Sequence, residues 1–138
     1  MTDRDVRDQV TDVLVRYATG IDRRDWKLLR TCFTEDCLSD YGDIGVWRSG
    51  DEITEWMATT HDPLGPTMHQ LTNISIDTRG PQVESRTYVH AMIVPADQGP
   101  AIHAYGWYDD EWVSTGDGWR ISRRRFSQAR IEVHPPAG

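Results

Sequence analysis

The 138-residue sequence has few cysteines and no long apolar run. Its two cysteines, Cys32 and Cys37, form no CxxC pair and no zinc-binding pattern with histidine, so we expect free, buried thiols. No stretch approaches the roughly 18 apolar residues that a membrane span requires, and the N-terminus lacks the apolar core of a signal peptide. These absences predict a cytoplasmic protein with no membrane partner.

Positive charge is also scarce. Fifteen lysines and arginines stand against 22 acidic residues, a net charge of -7, which argues against a nucleic-acid partner. The one basic run, residues 123–125, lies in a strand-like segment, where alternate members point to opposite faces. We expect a solvated sheet face or interface ion pairs for it, with anion binding as the alternative. The acidic residues expected to be outer-face charges are Asp40, Asp43, Asp109 and Asp110.

What is present fits one globular domain over residues 1–138, with a loose tail from about residue 135. Apolar residues make up 38% and charged residues 27% of the chain, which is typical of a domain with a real core. Six tryptophans and five tyrosines exceed what a minimal core needs. Such rings suit a pocket for a small molecule, although filling the core is their commoner use.

The first half of the chain reads as helical. Apolar residues at three- and four-residue steps predict a helix over residues 4–20 and a second over residues 24–33. A strand or strand pair, broken by two glycines, is indicated for residues 37–48. A short third helix follows the cap Ser49 and is expected to end before His61.

The second half reads as sheet. Four strand-like segments cover residues 66–78, 82–95, 100–114 and 118–134, and short turn sequences separate them. They predict an antiparallel meander that is strongly curved, because the segments exceed the usual strand length. The fold class is therefore α+β, with a curved sheet wrapped around the N-terminal helices and a deep pocket on its concave side.

Two strand histidines are candidates for acid/base chemistry. His69 shares a face with Leu71 and Asn73, and His90 shares a face with Tyr88, Met92 and Val94. A histidine among such apolar neighbours should be neutral or held by a carboxylate, and Asp22, just after the first helix, is a candidate for that carboxylate. Two such histidines would let a site remove one proton and deliver another.

The other histidines carry weaker signals. His61 and His134 are expected to be exposed, in a loop and a tail, and the face of His103 is undecided. No HxH or HxxxH spacing supports a metal site, so none is predicted.

Four segments resemble a known family. The order of elements resembles the nuclear transport factor 2-like cone fold, and the SnoaL-like branch that includes scytalone dehydratase. IDRRDWKLLR resembles the segment with that family's catalytic aspartate, at Asp22, and SDY matches its active-site tyrosine, at Tyr41. MHQ and YVHAMIVP correspond to the strands with its two histidines, at His69 and His90.

The resemblance implies cofactor-free elimination of water beside a carbonyl on a cyclic substrate. His69 would act as base and acid, His90 paired with Asp22 would hold the leaving hydroxyl, and Tyr41 would polarise the carbonyl through a water. Ile21 stands where the family has a second tyrosine, and Tyr17 is expected to replace it. The residues expected to bind the substrate are Tyr17, Asn73, Tyr88 and Met92.

Alternatives remain open from the sequence. A ketosteroid-isomerase-like isomerase or a polyketide aldol cyclase would use the same residues, and a non-catalytic ligand-binding or oxygenase small-subunit-like module would use the same fold. Polyketide-, aromatic- and steroid-like rings all fit the resemblance. A homodimer or homotrimer is expected, assembled through the open sheet face and the tryptophan-rich final strands.

Overall fold

A six-stranded sheet packs against three helices in the computed structural model, which describes residues 1–137. The helices are α1 (Asp3–Asp22), α2 (Trp26–Arg30) and α3 (Gly50–His61). The strands are β1 (Phe33–Asp40), β2 (Val46–Trp47), β3 (Thr67–Arg79), β4 (Gln82–Ile93), β5 (Ala101–Thr115) and β6 (Gly118–His134). A 3-10 helix, Gly42–Ile44, separates β1 from β2. Within residues 1–137, no helix is long and apolar enough to cross a membrane.

The strands lie in the order β2-β1-β6-β5-β4-β3. The four long strands form the predicted antiparallel meander, with bounds within two residues of the predicted ones. The sheet as a whole is mixed, because β1 runs parallel to β6. Pairing between these two strands reaches Asp40 and Arg125, so the second half of β6 continues past β1.

Helix α1 has a capped start and ends at Asp22, one of the residues singled out in the sequence. Thr2 and Asp5 form a capping box that fixes its start. Its apolar face packs against the sheet and is buried, and it extends two residues beyond the predicted end, through Asp22. A carboxylate in the last turn of a helix faces the negative end of the helix dipole, so Asp22 requires hydrogen-bond donors from elsewhere.

The other two helices differ from their predicted lengths. Helix α2 has only five residues, because Asp25 caps it and the carbonyl of Cys32 already accepts a hydrogen bond from Ile121 of β6. Helix α3 continues through His61, whose exposed fraction is 6%. The expectation of an exposed loop histidine was therefore wrong.

Burial alternates along β4 and identifies the two sheet faces. Val83, Ser85, Thr87, Val89 and Ala91 are all buried and point towards the helices, whereas the residues between them are more exposed. This period-two pattern sends His90 to the outer face.

The tail and the thiols complete the fold. Cys32 and Cys37 are free and buried, as predicted. Residues 135–137 follow β6 without helix or strand, and Gly138 of the predicted tail lies outside the described residues.

Candidate active site

The site is built on a hydrogen-bonded pair, Asp22 and His69. Oδ1 of Asp22 lies 2.8 Å from Nδ1 of His69, and Oδ2 accepts the backbone N–H of His69 at 2.8 Å. A carboxylate accepts only, so the proton of neutral His69 sits on Nδ1 and Nε2 carries the free lone pair. The side chain of His69 is 6% exposed and that of Asp22 is 25% exposed.

Hydrogen-bond donors keep the Asp22 carboxylate negatively charged. Burial works to raise its pKa, but hydrogen bonds from His69 and Thr67 outweigh burial and hold the pKa below its ordinary value. The carboxylate therefore stays ionised at neutral pH. It can orient the His69 ring and stabilise the imidazolium that forms when Nε2 takes a proton.

Arg24 links the elements around the Asp22–His69 pair through hydrogen bonds. Its guanidinium donates to the carbonyls of His61 and Gly65 at 3.1 and 2.6 Å, and to the Thr67 hydroxyl at 2.7 Å. Thr67 in turn donates to Asp22 at 3.0 Å. The end of α1, the end of α3 and the start of β3 are thus held in one arrangement.

A cavity of about 110 Å³ opens beside His69. Its walls come from α1, α3, the 3-10 helix and the inner sheet face, and the lining residues are Tyr17, Tyr41, Ile44, Trp56, Met57, His61, His69, Val89, Ala91, Ile93, Ala104, Tyr108 and Phe126. The cavity is smaller than the roughly 300–1,000 Å³ usual for ligand pockets. Its apolar lining with few polar groups is typical of a small-molecule site.

Three tyrosine hydroxyls meet at the inner wall of this cavity. The hydroxyl of Tyr17 lies 3.1 Å from that of Tyr41 and 3.2 Å from that of Tyr108. Burial raises the pKa of each phenol above its ordinary value, most strongly for Tyr17 and Tyr108. The three groups are therefore neutral hydroxyls that donate hydrogen bonds at physiological pH.

A buried ion pair supports the tyrosines. Nε and Nη2 of Arg124 donate to the two carboxylate oxygens of Asp110 at 2.8 and 2.9 Å, and both side chains are fully buried. The guanidinium stacks on the rings of Tyr17 and Tyr108, with centroids 4.2 and 3.8 Å from Cζ. The outer-face assignment of Asp110 was wrong, since it points inward and faces Arg124 across β5 and β6. Arg124 is the buried member of the basic run, and its neighbours in the run are exposed on the other face.

His90 lies away from Asp22. Its ring stacks on Tyr105 with centroids 4.6 Å apart, Nδ1 lies 3.0 Å from Oε1 of Gln70, and Nε2 lies 2.8 Å from Nδ1 of His103. The expected Asp22–His90 pair is therefore not formed. His90 and its strand neighbour Tyr88 line a depression on the outer sheet face, and neither lines the cavity that His69 lines on the inner face.

Of the four expected substrate-binding residues, Tyr17 lines the cavity and the other three do not. Tyr41 lines it as well. Tyr88 and Met92 share the outer face with His90, and the exposed fraction of Tyr88 is 47%. Asn73 is exposed because it sits at a bulge of β3 with φ of 49°, which breaks the alternation from His69.

Sequence reasoning missed His61, Tyr108 and Arg124. The sequence did contain a signal for Arg124. The predicted β5–β6 hairpin places Asp110 opposite Arg124, and opposite charges at facing positions of two strands predict an ion pair. Among residues 1–137, no three His, Cys, Asp or Glu side chains are placed to hold a metal ion.

Comparison with known proteins gives related sequences and folds. A family model described as a SnoaL-like domain matches residues 3–125. Rv2910c, an uncharacterised protein of Mycobacterium tuberculosis, is 32% identical over 118 residues, which cover 84% of this chain and 80% of the relative.

Two solved structures from Novosphingobium aromaticivorans share the fold. One, provisionally described as an aromatic ring hydroxylase, has a TM-score of 0.87 and 25% identity, and the match covers 96% of each chain. The other, provisionally described as a scytalone dehydratase, has a TM-score of 0.85 and 22% identity over 100% of this chain and 98% of that one.

Proposed function

The chain belongs to the SnoaL-like domain family, and from this premise we propose that it is a cofactor-independent lyase that eliminates water beside a carbonyl on a cyclic small molecule. The observation that carries the proposal is His69, hydrogen-bonded to Asp22, in the wall of an apolar cavity that three tyrosines also line. An ionised carboxylate, a base and neutral donors are the groups that proton abstraction beside a carbonyl requires.

The base in this reaction is His69. Its Nε2 takes the proton from the carbon next to the carbonyl, and Asp22 stabilises the imidazolium through Nδ1. The electron pair of the broken C–H bond moves towards the carbonyl oxygen. Tyr41 donates to that oxygen directly or through one water and stabilises the enolate, while the protons of Tyr17 and Tyr108 make the two contacts within the tyrosine cluster.

Elimination then completes at the neighbouring carbon. The enolate electrons form the C=C bond, the C–O bond breaks, and the proton on His69 passes to the departing oxygen, which leaves as water. Base and acid are the same imidazole, so proton and hydroxyl depart from one face of the ring. His90 has no part in the proposed reaction, because it lies on the outer sheet face.

The size of the cavity limits the substrate. Its volume of about 110 Å³ compares with about 150 Å³ for an engineered apolar cavity that binds benzene. The smaller volume favours a single ring over a fused polyketide or steroid.

An isomerase is the second candidate, because the structure supplies one base and a set of neutral donors. Such an enzyme returns the proton to another carbon of the same ring, and no group has to leave. A ligand-binding module without turnover is the alternative of another class.

The proposal predicts that the protein converts a six-membered cyclic β-hydroxyketone into the conjugated enone, whose ultraviolet absorption reports the rate. The corresponding β,γ-unsaturated ketone tests the isomerase, since a proton shift gives the same enone. Conversion of only the unsaturated ketone would replace the dehydratase by an isomerase. Binding of both rings with no enone formed from either would favour the non-catalytic module.

We also propose that the protein forms a homo-oligomer through the end of β6. Among residues 1–137, no strand pairs with the β1-side edge of β6 beyond Arg125, and Ile131 and Val133 there are 50% and 62% exposed. A long edge strand with exposed apolar side chains favours pairing with another chain. Of the three tryptophans in the final strands, Trp112 and Trp119 are buried, and Trp107 is half-buried against Arg86.

Sedimentation at micromolar concentration is expected to give a species heavier than a monomer. Ile131→Lys with Val133→Lys should shift it towards the monomer, because charges oppose burial of this edge. Ile44→Lys is the matched control, since Ile44 is 48% exposed elsewhere. A wild-type protein that sediments only as a monomer contradicts the proposal.

A further inference from the structure

His61 lines the cavity next to His69. It ends α3, and its ring centroid lies 5.9 Å from that of His69. The ring is held from behind, because Nδ1 lies 2.9 Å from the carbonyl of Met57 and 2.9 Å from the hydroxyl of Thr60. Trp26 packs edge-on against it with centroids 6.2 Å apart.

The contact with Met57 fixes the tautomer of His61. A carbonyl oxygen only accepts, so the proton of the neutral ring is on Nδ1 and Nε2 presents a lone pair. Over residues 1–137, Nε2 of His61 has no hydrogen-bond partner, and the same holds for Nε2 of His69. The cavity therefore contains two imidazoles that both offer an acceptor.

The surroundings of His61 keep it neutral. Burial and the neighbouring His69 lower its pKa to about 4, with Arg24 acting in the same direction and Asp22 against it. At neutral pH, His61 is an acceptor and not an acid. It cannot protonate a leaving group, but it can bind a hydroxyl that donates its own proton.

We propose that His61 positions the leaving hydroxyl of the substrate by accepting its hydrogen bond. This inference rests on the proposed function and deepens it. A hydroxyl that donates to Nε2 of His61 turns a lone pair towards His69, which is the donor once it has taken the proton from carbon. The C–O bond then breaks as that proton reaches the oxygen, and the water formed is still held by His61.

The arrangement assigns a substrate class. The carbonyl faces the tyrosine wall, which consists of Tyr17, Tyr41 and Tyr108, and the hydroxyl faces the imidazole wall, which consists of His61 and His69. The substrate is therefore a single ring with a hydroxyl β to its carbonyl. Among the lining residues, His61 and His69 are the side chains with an unprotonated nitrogen, and His69 is used as the base. His61 thereby distinguishes a hydroxylated ring from the parent ketone.

Binding can be measured without turnover in His69→Gln, which lacks the base. Calorimetry on this variant is expected to show the six-membered cyclic β-hydroxyketone binding about tenfold more tightly than cyclohexanone, the range of one hydrogen bond. Adding His61→Phe keeps a ring of similar size and should abolish the difference. Adding His61→Gln, whose amide oxygen accepts, should restore part of it.

A nitrogen NMR measurement on the wild-type protein avoids reliance on variants. The unprotonated Nε2 of His61 should shift when the hydroxyketone binds and not when cyclohexanone binds. A tenfold preference that survives His61→Phe in a folded protein would overturn the inference, as would failure of both rings to bind. A preference that depends on His61 in a protein without dehydratase activity would instead contradict the proposed function alone.

Discussion

Replacing His69 with glutamine is expected to lower kcat for enone formation by about 100- to 10,000-fold, which is the usual contribution of a positioned general base. Glutamine keeps a polar side chain of similar length but cannot take a proton. The KM should change little, because the tyrosine wall and the apolar lining are untouched. The measurement is steady-state kinetics on the cyclic β-hydroxyketone.

Asp22→Asn tests the other half of the pair. The amide keeps the shape but removes the charge that stabilises the imidazolium, and it permits the wrong tautomer of His69, so a loss of about a thousandfold or more is expected. The double variant should be no slower than the worse single variant, because the two residues act as one unit. Additive losses would indicate independent roles.

The chain offers a matched control in His90. It is also a strand histidine, with Gln70 and His103 as its partners on the outer sheet face. His90→Gln should leave kcat and KM unchanged. Loss of activity in His90→Gln together with full activity in His69→Gln would reverse the assignment of the base.

The sequence predicted the bounds of the strands better than the sheet face to which each side chain points. Turn residues and period-two patterns placed four strands within two residues of their observed bounds, and the resemblance to nuclear transport factor 2-like proteins is confirmed by the structural neighbours. Side-chain direction was harder, because a strand with apolar residues on both faces gives no sign of which face is inside. In β4, Val89 and Ala91 face inward, so His90 cannot.

Tertiary contacts decide what local patterns leave open. Asp22 was identified from its position after an apolar helix, but its partner depended on how β3 crosses the end of α1. His61 was placed in a loop after the third helix, whereas the helix continues through His61 and buries its ring. Arg124 looked like a surface charge within a basic run, and only its pairing with Asp110 explains its burial.

Asp110→Asn is expected to lower the free energy of unfolding by about 3–5 kcal/mol, the usual cost of removing one partner of a buried ion pair. The pair is bidentate and fully buried, so the variant leaves the Arg124 charge in an apolar environment. In the wild type, burial works to lower the pKa of Arg124 and Asp110 holds it well above its ordinary value. Without Asp110 the guanidinium still keeps its proton, because arginine does not lose its proton in proteins. Urea unfolding gives the measurement.

Asp109→Asn is the matched control, because Asp109 pairs with Arg86 in the same bidentate geometry at 2.7 and 2.9 Å. That pair is 38% and 53% exposed, so its loss should cost less than about 1 kcal/mol. Replacing both buried partners, as in Asp110→Leu with Arg124→Met, should recover much of the loss, since no charge then remains buried. Equal losses in the free energy of unfolding for Asp109→Asn and Asp110→Asn would show that burial does not set the strength of these ion pairs.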